Sequence, residues 1–139
     1  MPIRECPFTF CGNDIYRPIL PVRIINPHTS GNYRTHGIID TGADECAIPS
    51  AYAPILGHNL QAGQTKRIRT GNGVTVAYAH TTKFEIFHPE TTELLYTMED
   101  TPVDFLPNLN VVLLGANNFL SRFILTIDYP NKRFSIKYP

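Results

Sequence analysis

Apolar residues along this chain form short runs, which are separated by polar segments rich in proline and glycine. Residues 125–129 and 133–137 alternate between apolar and polar positions. This period of two predicts a hairpin of two strands with a turn at residues 130–132. Residues 37–39 are apolar at successive positions, as expected of a strand buried on both faces, and a second fully apolar run covers residues 111–115. The pattern therefore predicts mostly short strands.

A glycine-tipped hairpin is predicted near the middle of the chain. The tripeptide Gly71-Asn72-Gly73 separates residues 68–70 from residues 74–78. Asn-Gly accepts the positive φ angles of a tight hairpin turn, so we expect the two flanking segments to pair as antiparallel strands.

A short helix is predicted after the second apolar run, near the C-terminus. Asn117 or Asn118 can cap it, and Phe119, Leu120 and Phe123 then fall on one face, where they belong to the core. Further predicted segments are strands at residues 6–11, 21–26 and 82–87, a partner strand at 93–98, an apolar piece at 46–49, and a turn of helix at 51–54 that Gly57 ends.

The composition agrees with an all-β domain. Among 139 residues, 12 prolines and 9 glycines interrupt the sequence often, and β-branched and aromatic residues recur in the short runs. The length suits one domain with a sizeable core, and no repeat or linker divides it.

The charge balance limits the possible partners. Twelve basic and twelve acidic residues give no net charge, which argues against electrostatic binding to nucleic acid or to a membrane surface. No apolar run approaches the length that spans a bilayer, and no long apolar stretch follows the N-terminal charges as in a signal peptide. Three cysteines fit a disulfide framework poorly. We therefore expect a soluble, cytoplasmic protein.

The tetrapeptide Asp40-Thr41-Gly42-Ala43 follows the apolar residues 37–39 directly. A carboxylate presented at the end of a buried strand can take part in peptide hydrolysis. One ionised carboxylate activates water, while a protonated one polarises the scissile carbonyl. Two carboxyls about 3 Å apart share a proton because both cannot be charged, and aspartic proteases are the best-known example. The motif occurs once, so the second carboxyl must come from a second chain.

The residues around Asp40 suit this chemistry. Thr41 is small and its hydroxyl can tie two such loops together, while Gly42 allows the turn and brings its carbonyl close to a substrate. Ala43 leaves room beside the carboxyl pair. The hairpin at residues 71–73 can open, admit a peptide and close over it, which excludes bulk water.

Two sequence motifs, taken together, are similar to those of a known protein family. These are residues 37–44, with the sequence Gly-Ile-Ile-Asp-Thr-Gly-Ala-Asp, and residues 112–115, with Val-Leu-Leu-Gly, followed by the predicted helix. With them, the chain resembles the retropepsin-like aspartic proteases, the single-domain relatives of retroviral proteases, over roughly residues 21–137. Residues 125–129 are similar to cellular and bacterial members in particular.

The resemblance implies a small β-barrel-like domain that forms a homodimer and cleaves polypeptides without a metal or cofactor. In such a protein Asp40 is catalytic, Thr41 interlocks the two chains, and Ala43 supports the active-site loop. The residues implied in substrate binding are Gly42, Asp44, Gly71, Asn72 and Gly73. The substrate is an extended segment with apolar side chains beside the cut. Since members from acidic compartments commonly have serine after the glycine, Ala43 favours activity nearer neutral pH.

The chain departs from the viral pattern in two places. Viral members often have arginine after the glycine of the second motif, where it pairs with the acid matching Asp44, but here Ala116 follows Gly115. Residues 1–20 have no counterpart in the family, so they are treated as an N-terminal extension of unclear role before a protease domain at residues 21–139. The last predicted strand, residues 133–137, is a candidate for a dimer sheet.

Other interpretations remain open at this point. Asp40 could be an ordinary turn residue, since Asp-Thr-Gly suits a turn. The chain could be an inactive retropepsin-like module that binds peptides or dimerises. Cys6 and Cys11 could begin a zinc site with His28 or Cys46, although no second pair of Cys or His follows them. Cys46 itself lies in an apolar stretch and is interpreted as a buried thiol, not a nucleophile.

Overall fold

The computed structural model describes residues 1–70 and 73–139, apart from the side chain of residue 70. Most of the described chain is extended. The strands are β1 (Pro2–Pro7), β2 (Thr9–Phe10), β3 (Tyr16–Arg17), β4 (Ile19–Ile25), β5 (Asn32–Ile39), β6 (Cys46–Pro49), β7 (Gln64–Thr70), β8 (Gly73–Phe87), β9 (Leu94–Leu106), β10 (Val112–Leu114), β11 (Ile124–Asp128) and β12 (Arg133–Lys137). One helix, α1 (Ala53–Leu56), and three 3-10 turns (Ser50–Tyr52, Leu60–Ala62 and Leu120–Arg122) connect them. No described helix is long and apolar enough to cross a membrane.

The main sheet closes on itself. Its strand order is β4-β5-β10-β6-β9-β8-β7, and β4 also pairs with β8 through residues 22–25 and 83–86. This additional pairing joins the first strand to the sixth, so six strands form a barrel and β7 extends beyond it. An all-β, barrel-like fold was predicted, and the structure confirms it.

The core fills the interior of this barrel. Along β4, Leu20, Val22 and Ile24 are buried in alternation with more exposed residues, which is the period expected of a strand with one face inside. Phe84 and Phe105 are fully buried from the facing strands. Each fully buried side chain of this size contributes roughly 1.5–3 kcal/mol relative to an exposed one.

Both ends of the chain form a second, smaller sheet. Its order is β1-β12-β11, so β12 lies in the centre with a partner on each side. Ile3 and Cys6 of β1 are buried in the same core cluster as Phe134 and Ile136 of β12. The first strand therefore packs into the body of the domain, although the sequence suggested no place for it.

The predicted C-terminal helix is reduced to the 3-10 turn Leu120–Arg122. Asn118 adopts a left-handed φ of 63°, which interrupts a helix, and its side chain donates a hydrogen bond to Glu45 Oε2 at 3.3 Å instead of capping. Phe119, Leu120 and Phe123 are nevertheless buried, as predicted.

Other boundaries also differ from the sequence prediction. The predicted strand at 82–87 is the second half of the long β8, and β9 continues well past the predicted residue 98. The helix turn predicted at 51–54 is confirmed as α1, which ends at Gly57 with a left-handed φ of 75°. Residues other than glycine adopt that conformation much less often, so glycine is favoured there.

Candidate active site

Asp40 lies at the carboxyl end of β5, where two parallel strands hold it. β5 and β10 pair with Ile39 opposite Leu114, and the Asp40 N–H continues the ladder by donating to the Leu114 carbonyl at 3.0 Å. Upstream, Gly37 packs so closely on the Leu114 side chain that an added Cβ would lie 2.8 Å from it. The second apolar run thus supports the Asp40 loop directly.

The loop after β5 is a tight turn around the Asp40 carboxylate. The Gly42 N–H donates to Asp40 Oδ1 at 3.0 Å, and the Ala43 N–H donates to the Asp40 carbonyl at 3.2 Å. Asp40 is half-buried, whereas Thr41 and Gly42 are exposed. The bond to Oδ1 fixes the orientation of the carboxylate on the loop.

The segment after β10 clamps the same loop from the other side. Gly115 approaches so closely that an added Cβ would lie 2.4 Å from the Glu45 carbonyl oxygen. The next two N–H groups, of Ala116 and Asn117, donate to the carbonyls of Ala43 at 2.8 Å and Asp44 at 2.7 Å. Glycine is required here because the obstacle is backbone, which cannot move aside like a flexible side chain.

The Asp44 carboxylate forms no salt bridge within the described residues, in agreement with Ala116 replacing an arginine. The neighbouring Glu45 has the Asn118 amide as its partner instead. Two backbone hydrogen bonds and one side-chain bond therefore join the two segments here without an ion pair.

A cleft of about 760 Å³ opens above Asp40. Its size is in the range of typical ligand sites. Acidic residues from the loop and from β9 lie along it, and basic residues of β7 contribute to its lining. The lining residues are Asp40, Gly42, Ala43, Asp44, Glu45, Ala47, Lys66, Arg67, Ile68, Arg69, Asp104, Leu106 and Leu113.

Of the predicted site residues, Asp40, Gly42, Ala43 and Asp44 line the cleft, whereas Thr41 is not among its lining residues. Gly73 begins β8 opposite residue 70, but the predicted site residues Gly71 and Asn72 lie outside the described residues.

Several cleft residues were not found by sequence reasoning. They are Glu45, Lys66, Arg67, Arg69 and Asp104. Asp104 could have been suspected from the sequence, because it is a charged residue within the otherwise apolar residues 103–106.

The structure confirms one prediction about the cysteines, the burial of Cys46. Cys46 is fully buried, and burial raises the pKa of its thiol to about 12, so it is a poor nucleophile. In the described part of the chain, no group of three or more His, Cys, Asp or Glu side chains is placed to hold a metal ion.

Comparison with known proteins agrees with this geometry. Residues 14–124 match the sequence model of the family described as retroviral aspartyl protease. The chain belongs to this family. Its fold is similar to that of a retropepsin-like aspartic protease from Rickettsia conorii, with a TM-score of 0.58 and 21% identity over 87% of this chain and 92% of the other. A search of curated proteins gave no match.

Proposed function

We propose that this family member is an aspartic endopeptidase that acts as a homodimer, in which each chain supplies one catalytic Asp40. The observation that carries the proposal is the placement of Asp40. It lines the cleft at the end of β5 and is held there by the Leu114 carbonyl and the Gly42 N–H. Such preorganisation matters because a catalytic group that drifts from its substrate loses rate steeply.

Two Asp40 carboxyls that face each other would divide the work of hydrolysis. They share one proton, since two negative charges at about 3 Å repel strongly. The ionised carboxylate takes a proton from water, which attacks the scissile carbonyl. The protonated carboxyl donates a hydrogen bond to the carbonyl oxygen and stabilises the charge that develops there. No metal or cofactor is required for these steps.

The other carboxylates of the cleft support the need for a second chain. Asp104 is paired with Lys66, and Glu45 accepts a hydrogen bond from Asn118. Asp44 is exposed, and its backbone carbonyl is bound to the segment after β10. Because these groups are committed elsewhere or face solvent, the described residues of the same chain offer Asp40 no good partner for sharing a proton.

The exposed residues next to Asp40 fit a dimer contact. Thr41 is exposed, and in the proposed dimer its hydroxyl binds the matching loop of the second chain. Residues 133–137 were suggested as the dimer sheet, but they form β12, which has a partner strand on both sides. A sheet shared between two chains would therefore extend from β1 or β11, the edge strands of this sheet in the described structure.

The proposed substrate is an extended polypeptide lying along the cleft. Gly42 and Asp44 are placed to bind its backbone from the loop side, and β7 lines the opposite side with residues 66–69. We propose that the hairpin tip, Gly71 to Gly73, covers the peptide and keeps bulk water out.

Replacing Asp40 with asparagine tests the catalytic role. The Asp40→Asn protein should fold normally but lose cleavage of a peptide library by about 10³-fold or more, since the amide cannot act as a base. The matched control is Asp14→Asn, the same chemical change at an exposed residue in the turn between β2 and β3. Cleavage that survives in Asp40→Asn would contradict the proposal. Peptide binding by the wild type without cleavage at any pH would indicate an inactive binding module instead.

Mixing the two proteins tests whether the site is shared. Excess Asp40→Asn protein should draw wild-type chains into inactive mixed dimers, so a roughly ninefold excess lowers wild-type activity about tenfold by mass action. Asp14→Asn protein added in the same excess gives no such loss. Activity that depends only on the amount of wild type, whatever the excess of Asp40→Asn, would show that one chain is sufficient.

A further inference from the structure

The cleft contains a buried carboxylate that the proposed mechanism does not use. Asp104 is only 6% exposed, and its Oδ1 lies 2.9 Å from Lys66 Nζ. The two partners differ in their surroundings, because the Lys66 side chain is 46% exposed and the Asp104 side chain only 8%. Both residues line the same cleft as Asp40.

The sheet fixes the direction of Asp104. Its neighbours in β9, Val103 and Phe105, belong to the main core, so the alternation of the strand turns Asp104 to the other face. Leu106, two residues along, lines the cleft with it. Asp104 therefore belongs to the wall of the cleft and not to the interior of the barrel.

Small residues flank Asp104 on both neighbouring strands. It lies opposite Ala47 of β6 on one side and Ala79 of β8 on the other. Side chains opposite each other on adjacent strands are the ones that crowd one another, and alanine occupies little of that space. Ala47 lines the cleft together with Asp104, so on this side a long side chain has room to reach the carboxylate.

Of the two partners in this ion pair, only Lys66 can be replaced by a ligand at little cost. Lys66 extends from β7, and its half-exposed ammonium can return to water at little cost. Asp104 has no such alternative, since a buried carboxylate left without a cationic or hydrogen-bonding partner is strongly unfavourable. A ligand that displaces Lys66 must therefore bring its own positive charge or donors.

We propose that Asp104 makes this part of the cleft a subsite for a basic side chain, lysine or arginine, of the polypeptide substrate. The inference rests on the proposed peptidase function and names a specificity that the family assignment does not give. Lys66, Arg67 and Arg69 of β7 line the same cleft, but an acidic side chain that paired with Lys66 would leave the buried Asp104 carboxylate without its cation. An apolar side chain would cover the ion pair without replacing any of its bonds.

The sheet also places the subsite relative to the cut. Asp104 belongs to a row of paired residues that runs through Ala47 and Leu113 to Ile38, two residues before Asp40. Three strand spacings separate the ends of this row, about 14 Å. An extended peptide covers about 3.3–3.6 Å per residue, so the basic side chain belongs to a position a few residues from the scissile bond.

Cleavage of peptides randomised one position at a time tests the subsite. The wild type should prefer lysine or arginine over leucine and glutamate at one position, and Asp104→Asn should reduce that preference about tenfold, as expected for a lost charge-assisted bond. Lys66→Met is the matched variant from the other side of the pair. It should strengthen the preference, because it removes the competing cation. An unchanged profile in Asp104→Asn, or a wild-type preference for acidic or apolar residues there, would overturn the proposal.

A binding measurement separates this proposal from the proposed catalysis. The same peptides are titrated into Asp40→Asn protein and into the Asp40→Asn, Asp104→Asn double variant, with thermal unfolding as the test of folding. Weaker binding of only the lysine and arginine peptides by the double variant supports the subsite even if the wild type cleaves nothing. Equal loss for all peptides, or no loss, contradicts it.

Discussion

At the scale of single residues, Ala43 is expected to set the pH range of activity. Its N–H donates to the Asp40 carbonyl, and the residue lines the cleft beside the carboxylate. In Ala43→Ser the added hydroxyl can donate to the carboxyl pair, which favours its ionised form. We expect the acidic limb of the kcat/KM profile to move to lower pH by about one unit.

The control for this prediction is Ala43→Cys. A thiol is larger than a hydroxyl but donates only weakly, so it tests the effect of added bulk without a strong hydrogen bond. An equal shift in both variants, or none in Ala43→Ser, would show that hydrogen bonding at this position does not set the profile.

The residues of the candidate site differ in how far sequence reveals them. Asp40 and Gly42 could be predicted because the turn and the strand before it are contiguous in the chain. Lys66 and Asp104 could not, since they belong to β7 and β9, which lie on the two sides of β8, and a hydrophobic period does not give the order of strands in a sheet. Asn118 was expected to cap a helix, yet Glu45, distant in sequence, takes its amide.

At the scale of elements, the segment after β10 is expected to control the active-site loop. In Gly115→Ala the new Cβ would lie 2.4 Å from the Glu45 carbonyl oxygen, so the two segments must separate. We expect a loss of about 2–3 kcal/mol in the free energy of unfolding and a fall in kcat/KM of the folded protein, because the loop that holds Asp40 moves.

Gly31→Ala is a matched control for this effect. Its Cβ would lie 2.6 Å from the Leu56 carbonyl oxygen, an equally severe backbone contact at α1, where no cleft-lining residue lies. Urea unfolding should show both variants destabilised, while only Gly115→Ala loses specific activity when both are folded. Similar activity losses in the two would mean that the segment after β10 supports general stability only.

Strand pairings could likewise be predicted where the two strands are adjacent in sequence, and not where they are far apart. The hairpins β7–β8 and β11–β12 were predicted because turn residues and alternation are close together in sequence. The closure of the barrel by β4 and β8, and the packing of β1 on β12, depend on pairings across most of the chain. No pattern within either strand specifies its partner.

At the scale of the whole molecule, His58 should make stability depend on pH. Its ring packs against His80 and Phe105 with centroids 4.9 and 5.1 Å away. Burial, and then the charges of His80 and His28, lower the pKa of His58 from 6.5 to about 4. The unfolded chain therefore binds a proton first as the pH falls, and stability present above pH 6.5 is lost toward pH 4.

His58→Phe should remove part of this loss. The ring contacts remain but the titrating group is gone, so the free energy of unfolding should fall less between neutral pH and pH 4, by about 1–2 kcal/mol. Urea unfolding across this range measures the difference, with exposed His36→Phe as the control. The same pH slope in His58→Phe as in the wild type would assign the loss to other groups.

The position of β10 between β5 and β6 has a consequence for how the protein acquires its site. Residues 32–49 are synthesised well before Val112–Leu114, which fills the slot between their strands. Until then Asp40 lacks the carbonyl that anchors its N–H, and the Asp40 loop lacks its clamp. Contacts so far apart in sequence form slowly, because loop closure precedes any stabilising pairing. A nascent chain therefore carries its candidate catalytic motif in an unassembled form until Val112–Leu114 has been made and has paired with β5.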